Sequence, residues 1–335
     1  MKAWILSKPL DLLRADIPVP EAGPNEVLLK VLCCGVCHTD LHEYKGEIPL
    51  PVLPVVPGHQ VVGIVKETGP DAKRFKKGDR VGVPWLHGTC GDCDYCRSGR
   101  ENLCDHAQFT GLHIHGGFAE YHLVHKDFMH RLPVGYGIHE LAPLLCGGVI
   151  GYRAYRQAGM IGEKKTLGLF GFGSSAHLLL QIAKAQSHDV FVFSRSAEHQ
   201  DLARSLGADW AGAVGERPPD LLDAGIVFAP RGALMIEGLK LLKKGGRMVS
   251  AGIHMDDLPS FPYRLLWEER TLTSVANSTR KDVTDLLAAA AKIPLKIETE
   301  VFPFDRLPEA LVRLEKGLVR GSAVLQVAQN VRCEK

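Results

Sequence analysis

The chain has almost no net charge: 40 Lys and Arg residues stand against 38 Asp and Glu, leaving +2 over 335 residues. Nucleic acid and acidic membrane surfaces are therefore not expected partners, because both need a concentrated basic face. Long apolar runs are absent too, and none approaches the roughly 20 residues that span a bilayer. The opening Met1-Lys2-Ala3-Trp4-Ile5 lacks the apolar core of a secretory signal. These absences lead to the expectation of a cytoplasmic protein with a small-molecule partner, no nucleic acid and no membrane. What is present is ordinary for a soluble globular chain, with 45% hydrophobic and 23% charged residues. The length exceeds one typical core and fits two domains.

Cysteine is not scarce. Nine residues fall at 33, 34, 37, 90, 93, 96, 104, 146 and 333, and a reducing cytosol favours metal over disulfides as their use. Four of them cluster: Cys90, Cys93 and Cys96 form two CxxC spacings that share a residue, and Cys104 follows after seven residues. Four thiolates with no open position define a closed, structural zinc site. A redox CxxC pair and chance clustering in a loop are the alternatives. The Gly, Asp and Ser residues around the cluster give it little core of its own, which is the situation a metal staples.

A second group has no such local spacing. Cys37-His38-Thr39-Asp40-Leu41-His42 places a soft ligand, a hydroxyl, a carboxylate and two imidazoles after the apolar run Val27 to Cys34. His59 and Cys146 are further ligand candidates, and two thiolates, one imidazole and an open position make up a catalytic zinc site. By residue type alone the triple stays open, since Cys is often buried and inert.

The first part of the chain reads as short β-branched strands bounded by Gly, Pro and Asp, at Val27 to Val36, Val61 to Glu67, Arg80 to Val83 and Phe118 to Val124. A partly closed β-barrel is the expectation. After Cys146, residues 147–159 read as a crossing helix, and strand and helix runs then alternate, which predicts a parallel sheet covered by helices. Thr166 to Phe170 is an apolar strand followed by Gly171-Phe172-Gly173-Ser174-Ser175-Ala176 and the helical run His177 to Gln186. This is GxGxxA between a strand and a helix, the dinucleotide fingerprint, with the pyrophosphate expected at the helix N-terminus. The next strand, Val190 to Phe193, ends in Ser194-Arg195 instead of the acid that would accept bonds from a ribose 2′-hydroxyl. A hydroxyl beside a guanidinium suits a 2′-phosphate, so NADP(H) is favoured over NAD(H).

Taken together these motifs resemble the zinc-dependent alcohol dehydrogenases of the medium-chain dehydrogenase/reductase superfamily, of the shorter microbial type. The resemblance spans essentially the whole chain. It rests on Cys33-Cys34-Gly35-Val36-Cys37-His38-Thr39-Asp40, Pro57-Gly58-His59, Val65 through Gly69, Gly78-Asp79-Arg80-Val81-Gly82, the four-cysteine lobe, Gly116 through Tyr121, and Gly171-Phe172-Gly173. It implies an α/β fold: a GroES-like partly closed β-barrel catalytic domain over 1–147, completed by 293–335, and a Rossmann doubly wound parallel-sheet cofactor domain over 148–292. The cofactor would lie between them.

The resemblance also assigns roles. Cys37, His59 and Cys146 would hold the catalytic zinc, Thr39 would hydrogen-bond the substrate oxygen, and His42 would pass the proton to solvent through the cofactor ribose. Asp40 would orient His59. Apart from the motif, Thr39 and Asp40 would read as capping residues. Gln60 stands where relatives carry an acid, which makes the site one charge more positive and is expected to lower the pKa of zinc-bound water. Ser322 stands where many relatives carry an arginine, leaving Arg280 as an expected cofactor contact. Phe228 and Ala251, at strand ends, are further cofactor candidates, and Trp85 with Leu86 are candidate pocket walls favouring hydrophobic primary alcohols and aldehydes. Cys33 and Cys34 read as small buried residues and Cys333 as a tail thiol. A homodimer or homotetramer is expected through a sheet edge of the cofactor domain. Two other readings stand beside this one: an NADH-dependent zinc reductase of other carbonyl substrates, and a non-enzymatic nucleotide-binding protein.

Overall fold

The structure, a computed structural model, describes residues 1–328; Cys333 lies outside them. The chain divides into two compact units, one formed by Met1–Cys146, Thr279–Ala291 and the residues from Ile297 onward, the other by Gly147–Ser278 and Lys292–Lys296.

The first unit is built on the strand Glu26–Val36, whose last six residues are all buried. A strand shielded on both faces must satisfy its ladder on both edges, and this one does. Val61–Thr68 and Tyr121–His125 pair with it antiparallel, and so does the late strand Ser322–Gln326, with Ala323 opposite Val36. The sheet runs on through Arg80–Val83 to His130–Arg131 on one side and through Thr299–Pro303 on the other. Its apolar interior includes Val27, Leu29, Val61, Val81, Phe118 and Leu325.

The second unit carries six parallel strands. In space they run Trp210–Gly212, Asp189–Phe193, Thr166–Phe170, Leu222–Val227, Leu242–Ser250 and Thr271–Ser274. Numbered along the chain within this unit the order is 3-2-1-4-5-6, the doubly wound arrangement that binds ligands where the order reverses. Thr166–Phe170 is buried throughout and its two neighbours at all but one residue each, as a sheet covered on both faces requires. Stacking of Phe170 on Phe193, with centroids 4.3 Å apart, ties two neighbouring strands together.

One segment departs from the expected division. The helix Arg280–Ala290, inside the 148–292 range expected for the cofactor domain, belongs to the first unit. There Tyr136 donates its hydroxyl to the Ala290 carbonyl at 2.8 Å. Among the described residues no helix is long and apolar enough to cross a membrane.

Candidate active site

The strand Glu26–Val36 ends at the residue before Cys37, which caps the helix His38–Lys45. Asp40, on the first turn, accepts the Cys37 backbone N–H through Oδ2 at 2.7 Å. Its other oxygen, Oδ1, lies 3.2 Å from Nδ1 of the fully buried His59. His59 Nε2 is thereby turned toward Cys37 Sγ, 3.3 Å away, and Cys37 Sγ stands 3.9 Å from Cys146 Sγ. The donor atoms of Cys37, His59 and Cys146 all lie within 4.8 Å of one another.

The electrostatics fit a dication. The Cys37 thiol is pushed well above its ordinary pKa, first by its hydrogen bond with Cys146 and then by burial. Two adjacent thiols cannot both ionise without a cation between them. Burial would lower the His59 pKa, but Asp40 and Cys37 outweigh it and raise it. Zinc suits two thiolates and one imidazole, and its binding would release the protons these groups hold. Replacing Asp40 with Asn, which leaves the volume nearly unchanged, is expected to weaken metal binding about 10–100-fold, measured by chelator competition. Wild-type affinity would show that Asp40 does not support the ligand.

The four-cysteine lobe also converges, with Cys90, Cys93, Cys96 and Cys104 donors within 4.8 Å of one another. Local turns make it possible: Gly91 and Gly99 sit at φ +80 and +69, where side chains are strained. Backbone N–H groups point at sulfur, from Cys90 to Cys104 Sγ and from Cys96 to Cys93 Sγ, each at 3.5 Å. Burial raises the Cys104 pKa, but hydrogen bonds from the Cys90 and His106 backbone outweigh it and bring the thiol to about 7. Cys90, by contrast, is pushed up to about 12, first by its hydrogen bond with Asp92, so the lobe would release protons on binding zinc.

Thr39 is buried beside Asp40 on the same helix. His42, one turn on, sets Nδ1 against Glu47 Oε2 at 2.5 Å, and since a carboxylate only accepts, Nδ1 carries the hydrogen. Glu47 reaches back because Gly46 adopts φ +72 and Glu47 N–H bonds the His42 carbonyl at 2.9 Å. Sequence reading missed Glu47; the signal available was Gly46 closing a helix four residues after an imidazole. It also missed Glu43, whose carboxyl is buried among these groups and pushed well up in pKa by burial and then by Asp40.

Gln60 is buried with its carboxamide against Gly35, where a Cβ would come within 2.4 Å of Oε1. Trp85 lies beside the candidate ligand His59, with centroids 6.0 Å apart, and stacks on Phe109 at 4.5 Å. Trp85 is half-buried, whereas Leu86 is buried. It is 1% exposed and packs in the core of the first unit, so it presents almost no surface to a pocket.

In the second unit the glycine turn stands at the C-terminal end of Thr166–Phe170. Gly171 adopts φ +88, and a Cβ there would meet Ala229 at 3.1 Å. A Cβ on Gly173 would meet nothing within 4 Å, so the space above the turn is open. The helix begins earlier than expected, at Ser174, so Ser174 and Ser175 form its first turn. Ala176 is fully buried beneath. Phe228 and Ala251 follow the neighbouring strands, donating N–H groups to Phe170 and Val227. Ser194 is buried and its Oγ accepts from Ser196 N–H at 3.3 Å, whereas Arg195 is exposed and makes no ion pair among the described residues.

Arg280 is a correction. Its guanidinium and backbone N–H are taken up by Glu101, with Nη2 to Oε2 at 2.6 Å, Nε to Oε1 at 3.0 Å and N to Oε1 at 2.8 Å. A bidentate charge-assisted pair of this kind occupies the fork that a cofactor phosphate would need.

Two family models match: "Alcohol dehydrogenase GroES-like domain" over residues 23–134 and "Zinc-binding dehydrogenase" over residues 176–292. A probable alcohol dehydrogenase of Mycobacterium tuberculosis is 42% identical over 98% of this chain and 97% of its own. The solved cinnamyl alcohol dehydrogenase of Sorghum bicolor superposes with TM-score 0.89 at 31% identity, covering 100% of this chain and 99% of that one. Acetophenone reductase from Geotrichum candidum does so with TM-score 0.88 at 28% identity, covering 98% of each. With the parallel sheet, the glycine turn and both donor clusters in place, the chain belongs to the zinc-binding alcohol dehydrogenases of the medium-chain dehydrogenase/reductase superfamily and is an oxidoreductase.

Proposed function

We propose that the protein interconverts primary alcohols and aldehydes by hydride transfer with NADP(H), with zinc held by Cys37, His59 and Cys146 and a second, structural zinc in the four-cysteine lobe. The observation that supports this best is the convergence of those three donors with Asp40 behind the imidazole. Zinc so held supplies Lewis acidity toward an alcohol or carbonyl oxygen and makes the alcohol a stronger acid, while the nicotinamide takes or gives the hydride.

The chain's own residues do the rest. Asp40 holds His59 Nδ1 and so keeps Nε2 on the metal side. Thr39 hydrogen-bonds the reacting oxygen. His42, fixed at Nδ1 by Glu47 and 15% exposed, takes the proton at Nε2 and releases it to water. Trp85, stacked on Phe109, makes one wall aromatic, which favours hydrophobic and aromatic substrates, in line with the sorghum relative's name. Gly171, Phe172, Gly173, Ser174 and Ser175 cradle the pyrophosphate, with Phe228 and Ala251 flanking the cofactor.

Ser194 and the unpaired cation of Arg195 select the 2′-phosphate. The test is coenzyme oxidation with a panel of aliphatic and aromatic aldehydes, NADPH and NADH side by side. Preference for NADPH is expected, and Arg195→Ala should raise the KM for NADPH roughly 10–100-fold while changing that for NADH by about twofold or less. Preference for NADH would overturn the coenzyme assignment and leave the reaction class standing. That second reading, an NADH-dependent reductase of other carbonyls, is favoured by the acetophenone reductase, which was solved in complex with NAD. Absence of turnover with either coenzyme in zinc-loaded protein would overturn the substrate class.

A further inference from the structure

We infer that Glu101 is a positioning residue: through its carboxylate the four-cysteine lobe holds the N-terminus of the helix Arg280–Ala290, so that metal in the lobe orders that helix. The inference rests on the lobe being a metal site and not on the reaction proposed above.

Glu101 opens the short 3₁₀ turn Glu101–Leu103, which leads directly into Cys104. Its side chain is 10% exposed and makes three bonds to one residue 179 positions away, the Arg280 backbone N–H, Nε and Nη2. The same guanidinium lies over the Phe128 ring at 4.7 Å. Both Glu101 oxygens are therefore committed to this single helix end.

That helix end has a cap of its own besides Glu101. Thr279 is its N-cap, accepting Asp282 N–H at 3.1 Å, and Asp282 returns the bond by accepting Thr279 N–H at 2.9 Å. The capping box satisfies two of the orphan donors of the first turn, and Glu101 takes a third, the Arg280 N–H. The additional carboxylate thus ties the helix to the lobe, and its placement follows from the lobe's own fold. The lobe has little apolar interior: no residue of its short helix Asp94–Arg97 is buried, and Cys90 is exposed. A segment with so few buried contacts takes its order from the metal, so what it holds inherits that dependence. Glu101, at 10% exposure, is the more withdrawn partner of the pair, so its charge is kept in place by Arg280 as much as it holds Arg280.

The test is amide hydrogen exchange over residues 280–287 in the zinc-loaded full chain, with metal content measured in parallel. Glu101→Ala is expected to keep both metals yet speed exchange of these amides roughly 10–100-fold. Glu101→Gln, which retains an acceptor for the Arg280 N–H, should fall between. Stripping the lobe metal from the wild type with a chelator should speed the same amides and add little in Glu101→Ala, a metal dependence that a purely local salt bridge would not show. Wild-type protection in Glu101→Ala would overturn the inference. So would metal removal that loosens the helix as much in the variant as in the wild type. If Glu101→Ala does not fold, Arg280→Lys keeps the charge and loses the fork, and the same comparison applies.

Discussion

Replacing Cys146 with serine is expected to leave the four-cysteine lobe loaded, halve the metal content, and lower kcat/KM on the order of 10³-fold or more. Serine does not ionise near neutral pH, so the site would keep one thiolate and one imidazole beside a neutral hydroxyl. Two strong donors hold zinc far less tightly than three. The imidazole would keep its orientation, because Asp40 lies 3.2 Å from His59 Nδ1 independently of Cys146. Metal analysis and steady-state kinetics on the same preparation decide the matter. Undiminished metal with activity within tenfold of wild type would mean that Cys146 is not a ligand. Cys90→Ser is the contrast, expected to lower stability with the catalytic site still loaded.

The second large effect is on acid stability. His87, His122 and His130 are buried in the first unit. Burial holds their pKa values down to about 4, 3 and 4, helped at His87 by His125, at His122 by His87, and at His130 by Arg74. All three are neutral in the fold, whereas in the unfolded chain each takes a proton near pH 6.5. The unfolded state therefore binds more protons as pH falls below 6.5, and stability is lost from there down to the depressed folded values. Each imidazole contributes a slope of about 1.4 kcal/mol per pH unit. Glu43 works in the opposite sense, since burial and then Asp40 raise its pKa in the fold. Three imidazoles outweigh one carboxyl. The urea midpoint of the zinc-loaded protein should fall steeply between pH 6.5 and 5, and His122→Phe should flatten that slope, by up to about 1.4 kcal/mol per pH unit. An unchanged midpoint over this range would show that these imidazoles are not held neutral.

Glu101 and Arg280 illustrate where sequence reading ends. Each is visible as a residue, one in the lobe and one at a helix start, but their pairing spans 179 positions. No local pattern points from one to the other, so Arg280 reads as an unpaired cation available to a phosphate. The burial of Leu86 is hidden in the sequence for a different reason. Leu86 lies in a strand of three residues, Leu86–Gly88, too short for alternation to reveal which side faces the core.

What the sequence by itself determined is the chemistry that local spacing encodes. The CxxC repeat with Cys104 closes within fifteen residues, and the strand, glycine turn and helix at Thr166–Ala185 are contiguous, so each declares itself through short-range geometry. The parallel sheet followed from alternation of strand and helix for the same reason. Only the tertiary structure brought Cys37 within 3.3 Å of His59 and 3.9 Å of Cys146, across 22 and 109 positions. It also buried Glu43 and placed the helix Arg280–Ala290 with the first unit. Long-range proximity is paid for by the burial of whole sheets, and so leaves no mark on neighbouring residues from which it could be read.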